Sequence, residues 1–467
     1  MSSVISILLV LALIGMVVFI IAENRHPAQT LAWILVIVFL PVLGLVLYFL
    51  VGHRPTTQQL MPPEERDILL RRVEDATDAS IATVPEDQRK LAALVESVSG
   101  TVPLKGNAPR IYTDFYAMLD DLLSDLRQAR DHIHFEFYKF EDDPVGRRVA
   151  EVLMQKAREG VAVRVQYDDL ANFRRKHFYG ELKQAGVRVE PFLALNLPFL
   201  SADSNFRNHR KVVVVDGRVG YIGGMNIALR YGEGLKWGPW RDTHLRLEGP
   251  AVLQLQTAFI SDWRFSSKEL LSAPRYFPAV QSVGDTTVQI QATSPMAPWH
   301  AAMQSQVQLL SQAHEYAYLQ SPYLVPTATV MLALKNAALA GVDVRVMFPW
   351  RGDGGPLVPL ASRSYVAEAL SAGVKICFYK GGFLHAKTLV VDDRFASIGS
   401  TNIDVRSYTL DFEIDAYMYD EAVARQMKEI FLRDLESCEV VDAESWKQRS
   451  RWQKFKESLA RLLSPLL

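Results

Sequence analysis

The chain has 467 residues, a formal net charge of −1 and 49% hydrophobic residues, a length that suits two domains or one duplicated domain with attachments. The near-neutral charge is not typical of nucleic-acid-binding proteins, which usually carry a basic footprint. Only two cysteines occur, Cys377 and Cys438, and they exclude a disulfide framework and a cysteine-based metal site.

The N-terminus contains two uncharged stretches, Ser2 to Ala22 and Pro27 to Gly52. As helices, both are long enough to cross the ~30 Å hydrocarbon layer of a bilayer. A cleaved signal peptide is the alternative for the first stretch, but a basic n-region is missing and a second apolar stretch follows at once. The pattern therefore predicts two transmembrane helices, which form a hairpin over residues 1–54.

The arginines beside these stretches indicate their orientation. Residues 23–26 hold one arginine, whereas residues 54–72 hold four. The positive-inside rule then predicts that the part of the chain after the hairpin faces the cytoplasm. The missing disulfide pattern agrees with that compartment.

Residues 55–108 are polar and mixed in charge, and they predict a linker with one or two helices. Two halves follow, over residues 109–270 and 271–440, and in each half apolar strand-like runs alternate with helical segments. Matching strand, helix and strand segments are Ile133 to Phe140, Val145 to Glu159 and Val161 to Tyr167, then Tyr316 to Leu324, Val330 to Ala340 and Val342 to Phe348. This alternation predicts α/β units with largely buried sheets, and the repeat predicts an internal duplication.

The halves differ in one connection. The segment from Gly186 to His209 is eleven residues longer than the segment from Gly373 to His385. The surplus, around Ala194 to Ser204, is rich in leucine. It predicts either an apolar lip over the site or a loop packed onto the domain.

An eight-position motif occurs once in each half. The copies are His209-x-Lys211-x4-Asp216 and His385-x-Lys387-x4-Asp392, and Asn226 and Asn402 follow them at the same offset. Two histidines, two lysines and two asparagines converge on one phosphate only if the halves pack face to face. The pattern therefore predicts two pseudo-symmetric α/β units that share one composite active site.

These residue types suit the cleavage of a phosphodiester. A neutral imidazole can attack phosphorus to form a phosphohistidine, and a protonated imidazole can give its proton to the leaving alcohol. The lysines, with the amides of Asn226 and Asn402, can surround the phosphoryl oxygens, each contributing about 2–4 kcal/mol in the transition state. Because the lysines supply positive charge, we expect neither a metal nor another cofactor. The residues alone do not decide which histidine is the nucleophile.

The carboxylates of the site have two interpretations. Asp216-Gly217 is a strong hairpin-turn dipeptide, and Asp392 stands at the equivalent turn, so both aspartates are turn formers that also orient the motif. Asp242 and Glu413 follow the motif histidines by 33 and 28 residues. Each is either the partner that fixes an imidazole tautomer or a charge at a strand end.

The last segment, residues 441–467, is basic and amphipathic, and Glu457 alone opposes its lysines and arginines from Lys447 onward. Its apolar residues recur at helical spacing, at Trp452, Phe455, Leu459, Leu462 and Leu463. Such a helix either lies in the headgroup layer of an anionic membrane or packs its apolar stripe onto the catalytic domain.

The doubled motif resembles the signature of the phospholipase D superfamily, and the likeness extends from about Ile111 to the end of the second half. Further segments resemble the bacterial cardiolipin synthases: Asn24 to Pro27, Leu31 to Ile34, Pro41 to Gly44, Trp240 to His244 and Ser321 to Pro326. The superfamily signature includes the histidine, lysine and aspartate of each copy, with the nucleophile in the first motif and the acid in the second. A serine is common in the superfamily where this chain has Gly224, and Ser400 keeps it.

This resemblance implies transphosphatidylation. One phosphatidylglycerol donates its phosphatidyl group to His209, and a second attacks through its glycerol hydroxyl to give cardiolipin. The doubled motif by itself allows phospholipids, nucleic acids or small phosphodiesters, and the predicted hairpin favours phospholipids. We expect a multi-pass enzyme of the bacterial inner membrane without a nucleic-acid partner. A lipid hydrolase, a membrane-anchored nuclease and a non-enzymatic scaffold are the alternatives, and the oligomeric state is not indicated.

Overall fold

The structure is a computed structural model of the chain. It describes residues 2–23, 27–52, 60–194 and 205–464. The predicted apolar lip around Ala194 to Ser204 therefore lies outside the described residues, except for Ala194 itself.

Helices and strands alternate along most of the described chain. The helices are α1 (Ser2–Ala22), α2 (Pro27–Phe39), α3 (Pro41–Leu47), α4 (Pro63–Thr77), α5 (Arg89–Ser99), α6 (Phe115–Gln128), α7 (Pro144–Arg158), α8 (Asp169–Asn172), α9 (Lys176–Gln184), α10 (Arg230–Glu233), α11 (Val252–Ser267), α12 (Ala301–Gln312), α13 (Ala328–Leu339), α14 (Leu357–Ser371), α15 (Val405–Thr409), α16 (Glu421–Leu435), α17 (Ala443–Lys447) and α18 (Arg451–Arg461). The strands are β1 (Leu104–Tyr112), β2 (His132–Phe137), β3 (Ala162–Asp168), β4 (Arg188–Phe192), β5 (Arg207–Asn208), β6 (Lys211–Val215), β7 (Val219–Gly223), β8 (Trp240–Arg241), β9 (His244–Glu248), β10 (Thr286–Thr293), β11 (Tyr316–Gln320), β12 (Leu324–Val325), β13 (Asp343–Pro349), β14 (Lys375–Tyr379), β15 (Phe383–Leu384), β16 (Thr388–Val391), β17 (Phe395–Gly399), β18 (Ile403–Asp404), β19 (Asp411–Met418) and β20 (Cys438–Val440).

The N-terminal apolar sequence is interrupted within its second stretch. α1 has the predicted bounds, whereas the second stretch is divided at Leu40 into α2 and α3. Leu40 has φ −131° and ψ 66°, because the residue before a proline is driven out of the helical region. Within the described residues, no helix combines the length and the apolar character that a bilayer crossing requires. The two predicted transmembrane helices are therefore not confirmed.

The predicted linker over residues 55–108 is a structural element in its described part. It contains α4 and α5, and β1 already begins at Leu104. An ion pair of 2.6 Å between Glu65 and Arg264 fixes α4 to α11. On α5, Leu91 and Val95 are fully buried, and this apolar face packs the segment into the second half.

Sixteen of the described strands form one sheet with two matching halves. The order is β20-β14-β13-β11-β16-β17-β19-β10-β1-β9-β7-β6-β2-β3-β4, and β5 pairs with β19. From the centre outward, β1-β9-β7-β6-β2-β3-β4 corresponds strand by strand to β10-β19-β17-β16-β11-β13-β14. The neighbours within β2-β3-β4 and within β11-β13-β14 are parallel. The other neighbours in the order are antiparallel, and β5 pairs in parallel with β19. The prediction of two repeated α/β units is confirmed.

The halves share a core as well as a sheet. β1 and β10 join them by antiparallel pairing, with Leu104 opposite Val288. One hydrophobic cluster contains residues of both halves, among them Val212 and Val214 of β6 and Val390 of β16. Every residue of β6 is buried, as expected for a central strand of consecutive valines. The two motif strands thus stand on a common core.

Two short strands cross between the halves immediately before the motif histidines. β5 pairs in parallel with β19 of the second half, and β15 pairs in parallel with β8 of the first half. Each crossing continues for one more backbone hydrogen bond. The N–H of His209 donates to the carbonyl of Phe412 at 2.9 Å, and the N–H of His385 donates to the carbonyl of Arg241 at 2.7 Å.

The histidines are therefore held between two strands instead of within one. A spacing of two residues would place histidine and lysine on one face of a single strand, but β6 begins at Lys211 and β16 begins at Thr388. The physical reason is the crossing. The backbone at each histidine pairs with the opposite half before the chain returns to its own half of the sheet.

Candidate active site

The two motif histidines line one cavity of about 290 Å³. Its wall consists of side chains from both halves: Tyr138, Lys139, Arg207, His209, Asn226, Arg230, Tyr231, Trp240, Tyr323, Val325, Asp353, Val358, His385, Asn402, Asp404, Arg406 and Asp411. His209 and His385 are each 8% exposed. The two copies of the motif thus meet at one buried site.

Acceptors surround Nδ1 of His209. The two carboxylate oxygens of Glu413 lie 3.0 and 3.1 Å away, and the carbonyl oxygen of Ser400 lies 3.1 Å away. The Ser400 hydroxyl donates to Glu413 at 2.5 Å. Because these neighbours accept hydrogen bonds, the network favours a proton on Nδ1 and a free lone pair on Nε2.

Nδ1 of His385 has a different environment. It lies 2.6 Å from a carboxylate oxygen of Asp242 and 2.8 Å from Nζ of Lys387. The backbone N–H of Thr243 donates to Asp242 at 2.7 Å and holds that carboxylate in place. The indole of Trp240 packs beside the imidazole, with ring centroids 5.2 Å apart. One ring nitrogen therefore contacts both an acceptor and a donor.

The carboxylate partners are exchanged between the halves. Glu413 of the second half binds the histidine of the first motif, and Asp242 of the first half binds the histidine of the second. Each carboxylate directly follows the residue whose carbonyl accepts from the histidine backbone. The geometry agrees with the tautomer-fixing interpretation of these carboxylates and not with that of strand-end charges.

Burial dominates the electrostatics of these pairs. It lowers the pKa of both histidines well below the usual value, and the charges of Lys211 and Lys387 lower it further. Burial also raises the pKa of Glu413 to about 7 and raises the pKa of Asp242. Without an anion beside them, both imidazoles are neutral near pH 7.

The motif lysines lie behind the histidines, outside the cavity wall. Nζ of Lys211 donates to the carbonyl oxygen of His209, and Nζ of Lys387 donates to that of His385. Both side chains are buried, which lowers the pKa of Lys211 to about 7 and that of Lys387 to about 8. A phosphate in the cavity favours their charged forms, because opposite charges attract strongly in a buried site.

The motif aspartates are turn residues and do not line the cavity. Asp216 has φ 53°, and its carboxylate accepts from the backbone N–H groups of residues 130–132 at 2.8 to 2.9 Å. Asp392 also has φ 53° and binds the N–H groups of residues 314–316 at 2.7 to 2.9 Å. Each aspartate fixes the start of the neighbouring strand, as the turn interpretation expected. Their catalytic assignment stays a prediction.

Both predicted asparagines line the cavity. The Asn226 side chain accepts from the N–H of Lys139 at 3.0 Å and donates to the hydroxyl of Tyr231 at 2.5 Å. Oδ1 of Asn402 is buried without a hydrogen-bond partner among the described residues. The position of both amides suits contact with a phosphoryl group, and that role stays a prediction.

The sequence did not indicate four of the cations that line the cavity wall. They are Lys139, Arg207, Arg230 and Arg406. Among them, only Arg207 has a signal in the sequence, since it precedes the first motif histidine by two residues. Lys139 and Arg230 gave no signal, because no repeated pattern surrounds them. Burial lowers the pKa of Lys139, and the charge of Arg230 adds to that shift. The same wall also carries three carboxylates, Asp353, Asp404 and Asp411.

The arrangement provides the parts of a covalent phosphoryl transfer. One neutral imidazole with a free Nε2 can attack phosphorus, and a second imidazole on the opposite wall can exchange a proton with the leaving or entering alcohol. Buried lysines and amides supply positive charge and donors.

Family models match the two halves and the N-terminal apolar sequence. The model described as "Cardiolipin synthase, PLD-like domain" matches residues 122–234 and 307–435. The model described as "Phospholipase D-nuclease N-terminal" matches residues 7–53. The first model covers both motif copies, and the second covers the N-terminal apolar sequence.

The chain is also similar to curated proteins over its full length. The major cardiolipin synthase ClsA of Bacillus subtilis strain 168 is 37% identical over 100% of this chain and 99% of its own length. A cardiolipin synthase of Staphylococcus aureus strain Mu50 is 38% identical over 95% of this chain and 92% of its own length.

Among solved structures, a phosphatidylserine synthase of Haemophilus influenzae Rd KW20 superposes with a TM-score of 0.63 at 14% identity, over 81% of this chain and 100% of that chain. At that identity the likeness supports the fold alone. The family model, the full-length relatives and the doubled motif agree with one another. The chain belongs to the bacterial cardiolipin synthases of the phospholipase D superfamily.

Proposed function

We propose that this chain is a phosphatidyltransferase that makes cardiolipin and glycerol from two molecules of phosphatidylglycerol through a phosphohistidine intermediate. The observation that carries the proposal is the pair of histidines that line one cavity, each held by a carboxylate of the opposite half. The names of the full-length relatives support the product.

In the first step, Nε2 of His209 attacks the phosphorus of one phosphatidylglycerol. A P–N bond forms and the P–O bond to the headgroup glycerol breaks, while His385 gives its Nε2 proton to the departing oxygen. Glycerol leaves, and the phosphatidyl group stays on His209. The neutral state of His209 supports its role as the attacking group.

In the second step, a second phosphatidylglycerol enters. Its glycerol hydroxyl gives a proton to His385 and attacks phosphorus, and the P–N bond to His209 breaks. Cardiolipin leaves and both imidazoles return to their starting states. The proton and the phosphatidyl group are each transferred twice, so that the cycle balances without another reactant.

The environments of the two Nδ1 atoms support this order of roles. Acceptors around Nδ1 of His209 keep the proton there, which leaves the Nε2 lone pair for attack. With the phosphodiester in the cavity, Nδ1 of His385 donates to Asp242 and Nε2 carries the second proton of the charged ring, as a general acid requires. After the first step the ring is neutral with its proton on Nδ1, and the free Nε2 can accept the proton of the second alcohol.

In this proposal the motif asparagines bind the phosphoryl oxygens, and the motif lysines supply positive charge beside them. Lys211 and Lys387 become charged when the phosphodiester enters, and Asn226 and Asn402 face it from the wall. Asp216 and Asp392 act as positioning residues through the backbone N–H groups that they bind. Lys139 and Arg207, which also line the cavity, suit the phosphate of the second lipid.

The N-terminal residues 1–54 hold the enzyme at the bacterial inner membrane as a transmembrane hairpin, with the catalytic halves in the cytoplasm. The absence of charge in the two stretches and the arginines after Gly52 support this topology. A cysteine placed at position 56 reacts with a membrane-impermeant maleimide in inverted vesicles and not in intact spheroplasts. The opposite labelling would reverse the topology.

The product of the purified full-length enzyme tests the reaction. With phosphatidylglycerol alone in mixed micelles, we expect cardiolipin and glycerol in equal amounts. Phosphatidic acid would identify a lipid hydrolase, and no lipid turnover would favour a nuclease or a scaffold. His209→Asn should abolish turnover, whereas the matched control His177→Asn, at a histidine whose side chain is 90% exposed, should retain it.

A further inference from the structure

The last described helix, α18, packs on the second half with its polar face. Glu457 and Ala460 are 2% and 3% exposed. Glu457 accepts from Arg449 at 2.6 Å, and Arg461 donates to Glu368 of α14 at 2.9 Å. An amphipathic helix on a soluble domain normally buries its apolar stripe. α18 has the reverse orientation, with ion pairs inside.

The apolar stripe of α18 faces outward. The exposed fractions are 66% for Trp452, 57% for Phe455, 55% for Leu459, 74% for Leu462 and 40% for Leu463. The rings of Trp452 and Phe455 stack with centroids 5.6 Å apart, which makes one continuous patch. The alternative that the stripe packs onto the catalytic domain is therefore wrong.

The orientation of α18 is fixed by the segment before it. Trp446 of α17 is 8% exposed and belongs to the core of the second half. The guanidinium of Arg449 lies 3.4 Å above its ring and also binds Glu457. The residues that precede and contact α18 therefore hold its apolar side away from the domain.

α18 also carries cations that have no carboxylate partner among the described residues. Arg451, Lys454 and Lys456 make no ion pair within the described residues, and Lys454 donates only to the carbonyl of Lys447. Arg451 precedes Trp452, and Lys456 follows Phe455, so that positive charge lies on both sides of the patch. Exposed apolar patches with a polar rim mark interaction sites.

We propose that α18 is a membrane-contact helix that lies in the headgroup layer of an anionic bilayer. Basic residues beside aromatic and leucine side chains are the composition of interfacial helices. A second copy of the chain is a poorer occupant, because two such stripes would bring like charges together. This contact is separate from the N-terminal residues 1–54 and does not depend on the proposed reaction.

Helix α14 connects α18 with the active-site cavity. α14 carries Glu368, which binds Arg461 of α18, and it carries Val358 in the cavity wall. α18 therefore binds the helix whose first turn lines the cavity. We expect loss of the contact to reduce activity on vesicles and to leave activity in detergent micelles unchanged.

A fluorescent label on the full-length enzyme tests the contact. Leu459→Cys, in a Cys438→Ser background that leaves the fully buried Cys377, carries an environment-sensitive dye. The matched control carries the dye at Leu339→Cys on α13, another apolar residue that is 72% exposed. In vesicles of phosphatidylglycerol and phosphatidylcholine with nitroxide-labelled lipid, we expect quenching at 459 to exceed that at 339 at least about threefold.

A charge variant separates the bilayer from other occupants. Arg451→Gln with Lys454→Gln and Lys456→Gln should reduce quenching and vesicle activity about fivefold, as should high salt. The control Arg89→Gln with Lys90→Gln and Lys105→Gln removes the same charges elsewhere and should change neither quenching nor vesicle activity.

Equal, weak quenching at 459 and 339 would overturn the proposal. Shielding of 459 without lipid quenching, with crosslinks between copies, would also overturn it in favour of a dimer. Turnover in micelles reports separately on folding and on the proposed reaction.

Discussion

The two motif copies hold their histidines with the same backbone geometry but with different hydrogen-bond partners. In the second half Ser400 donates to Glu413, whereas the equivalent position in the first half is Gly224. A Cβ on Gly224 would lie 2.1 Å from a carboxylate oxygen of Asp242. The glycine therefore makes room for a shorter acid that approaches its histidine to 2.6 Å.

This difference breaks the pseudo-symmetry that the sequence leaves intact. Nδ1 of His209 has acceptors around it, whereas Nδ1 of His385 has an acceptor and a donor. The first environment suits a nucleophile with one fixed tautomer. The second suits a group that gains and loses a proton in each cycle. The two matching halves thus give their histidines unlike surroundings, and these surroundings favour two roles.

Removal of either histidine should have the largest effect. His209→Ala and His385→Ala should each reduce turnover about 10⁴-fold or more, because nucleophile and acid act as one unit. Labelled lipid should still attach in traces to His385→Ala and not to His209→Ala, as an acid-labile, base-stable adduct. The reverse pattern would exchange the two roles, and near-normal turnover in either variant would contradict the composite site.

Substitution of the exchanged carboxylates Glu413 and Asp242 should cause the next largest losses of turnover, and the two losses should differ. In Glu413→Gln the amide can donate to Nδ1 of His209 and move the ring proton to Nε2, which removes the attacking lone pair. We expect a loss of about 10³-fold in kcat. In Asp242→Asn the amide oxygen can still accept from Nδ1 of the charged His385, and the loss should be about 10-fold to 100-fold.

Adduct formation in single-turnover experiments checks this assignment. Glu413→Gln should lose the adduct although its residue lies in the second half, whereas Asp242→Asn should still form it. Equal losses in the two variants would show that tautomer control does not distinguish the histidines.

Exchange of the glycine and the serine should have smaller effects. Gly224→Ser places a Cβ against Asp242 and should lower kcat about 30-fold, because the carboxylate must move. Ser400→Gly removes one hydrogen bond to Glu413 and should lower kcat about fivefold to tenfold. Thermal unfolding of both variants serves as the control, since only the activity should differ strongly. A harmless Gly224→Ser would show that the close approach of Asp242 is not required.

Anion binding should depend on pH by a modest factor. The pKa values of Lys211 and Lys387, about 7 and about 8, lie below the usual lysine value because of burial. An anion binds the charged lysines, so its affinity is highest below about pH 7 and falls as the pH rises through 7 to 8. Sulfate, whose charge is constant there, should bind about tenfold more weakly at pH 9 than at pH 6.5. Calorimetry in two buffers should detect proton uptake at pH 7.5, and its absence would contradict the shifted pKa values.

Chelation should have the smallest effect. Because lysines supply the positive charge in the proposed mechanism, an excess of a divalent-metal chelator should leave most of the turnover. The measurement is the rate of cardiolipin formation before and after chelation, with chelator saturated by calcium as the control. A strict requirement that one added metal restores would contradict the proposed role of Lys211 and Lys387.

Much of the fold followed from the sequence, because the repeated strand and helix patterns are local. The repeated strand, helix and strand segments of both halves and the turn at Asp216 form as expected. The division of the second apolar stretch at Leu40 was missed, although Pro41 signalled it through its effect on the preceding residue. The sequence predicts a linker before β1, because the partners of its apolar residues, in α11 and β10, lie far along the chain.

The convergence of the two motif copies followed from their repetition, but the exchange of carboxylates did not. Asp242 and Glu413 were visible as candidates, and nothing in a linear spacing indicates that each belongs to the other half's histidine. That pairing depends on the crossing strands β5 and β15, which are two residues long each and carry no periodicity. The sequence also did not indicate the cations of the cavity wall, because they are close to one another only in the folded structure.

The crossing strands have a consequence for the protein during its synthesis. The first half leaves the ribosome long before Phe412 and Glu413 exist, so His209 then has neither its backbone partner nor its carboxylate. A nascent chain therefore carries an unfinished nucleophile until β19 is complete. A chain that terminates before Phe412 lacks both partners of His209 and should be unable to form the phosphohistidine.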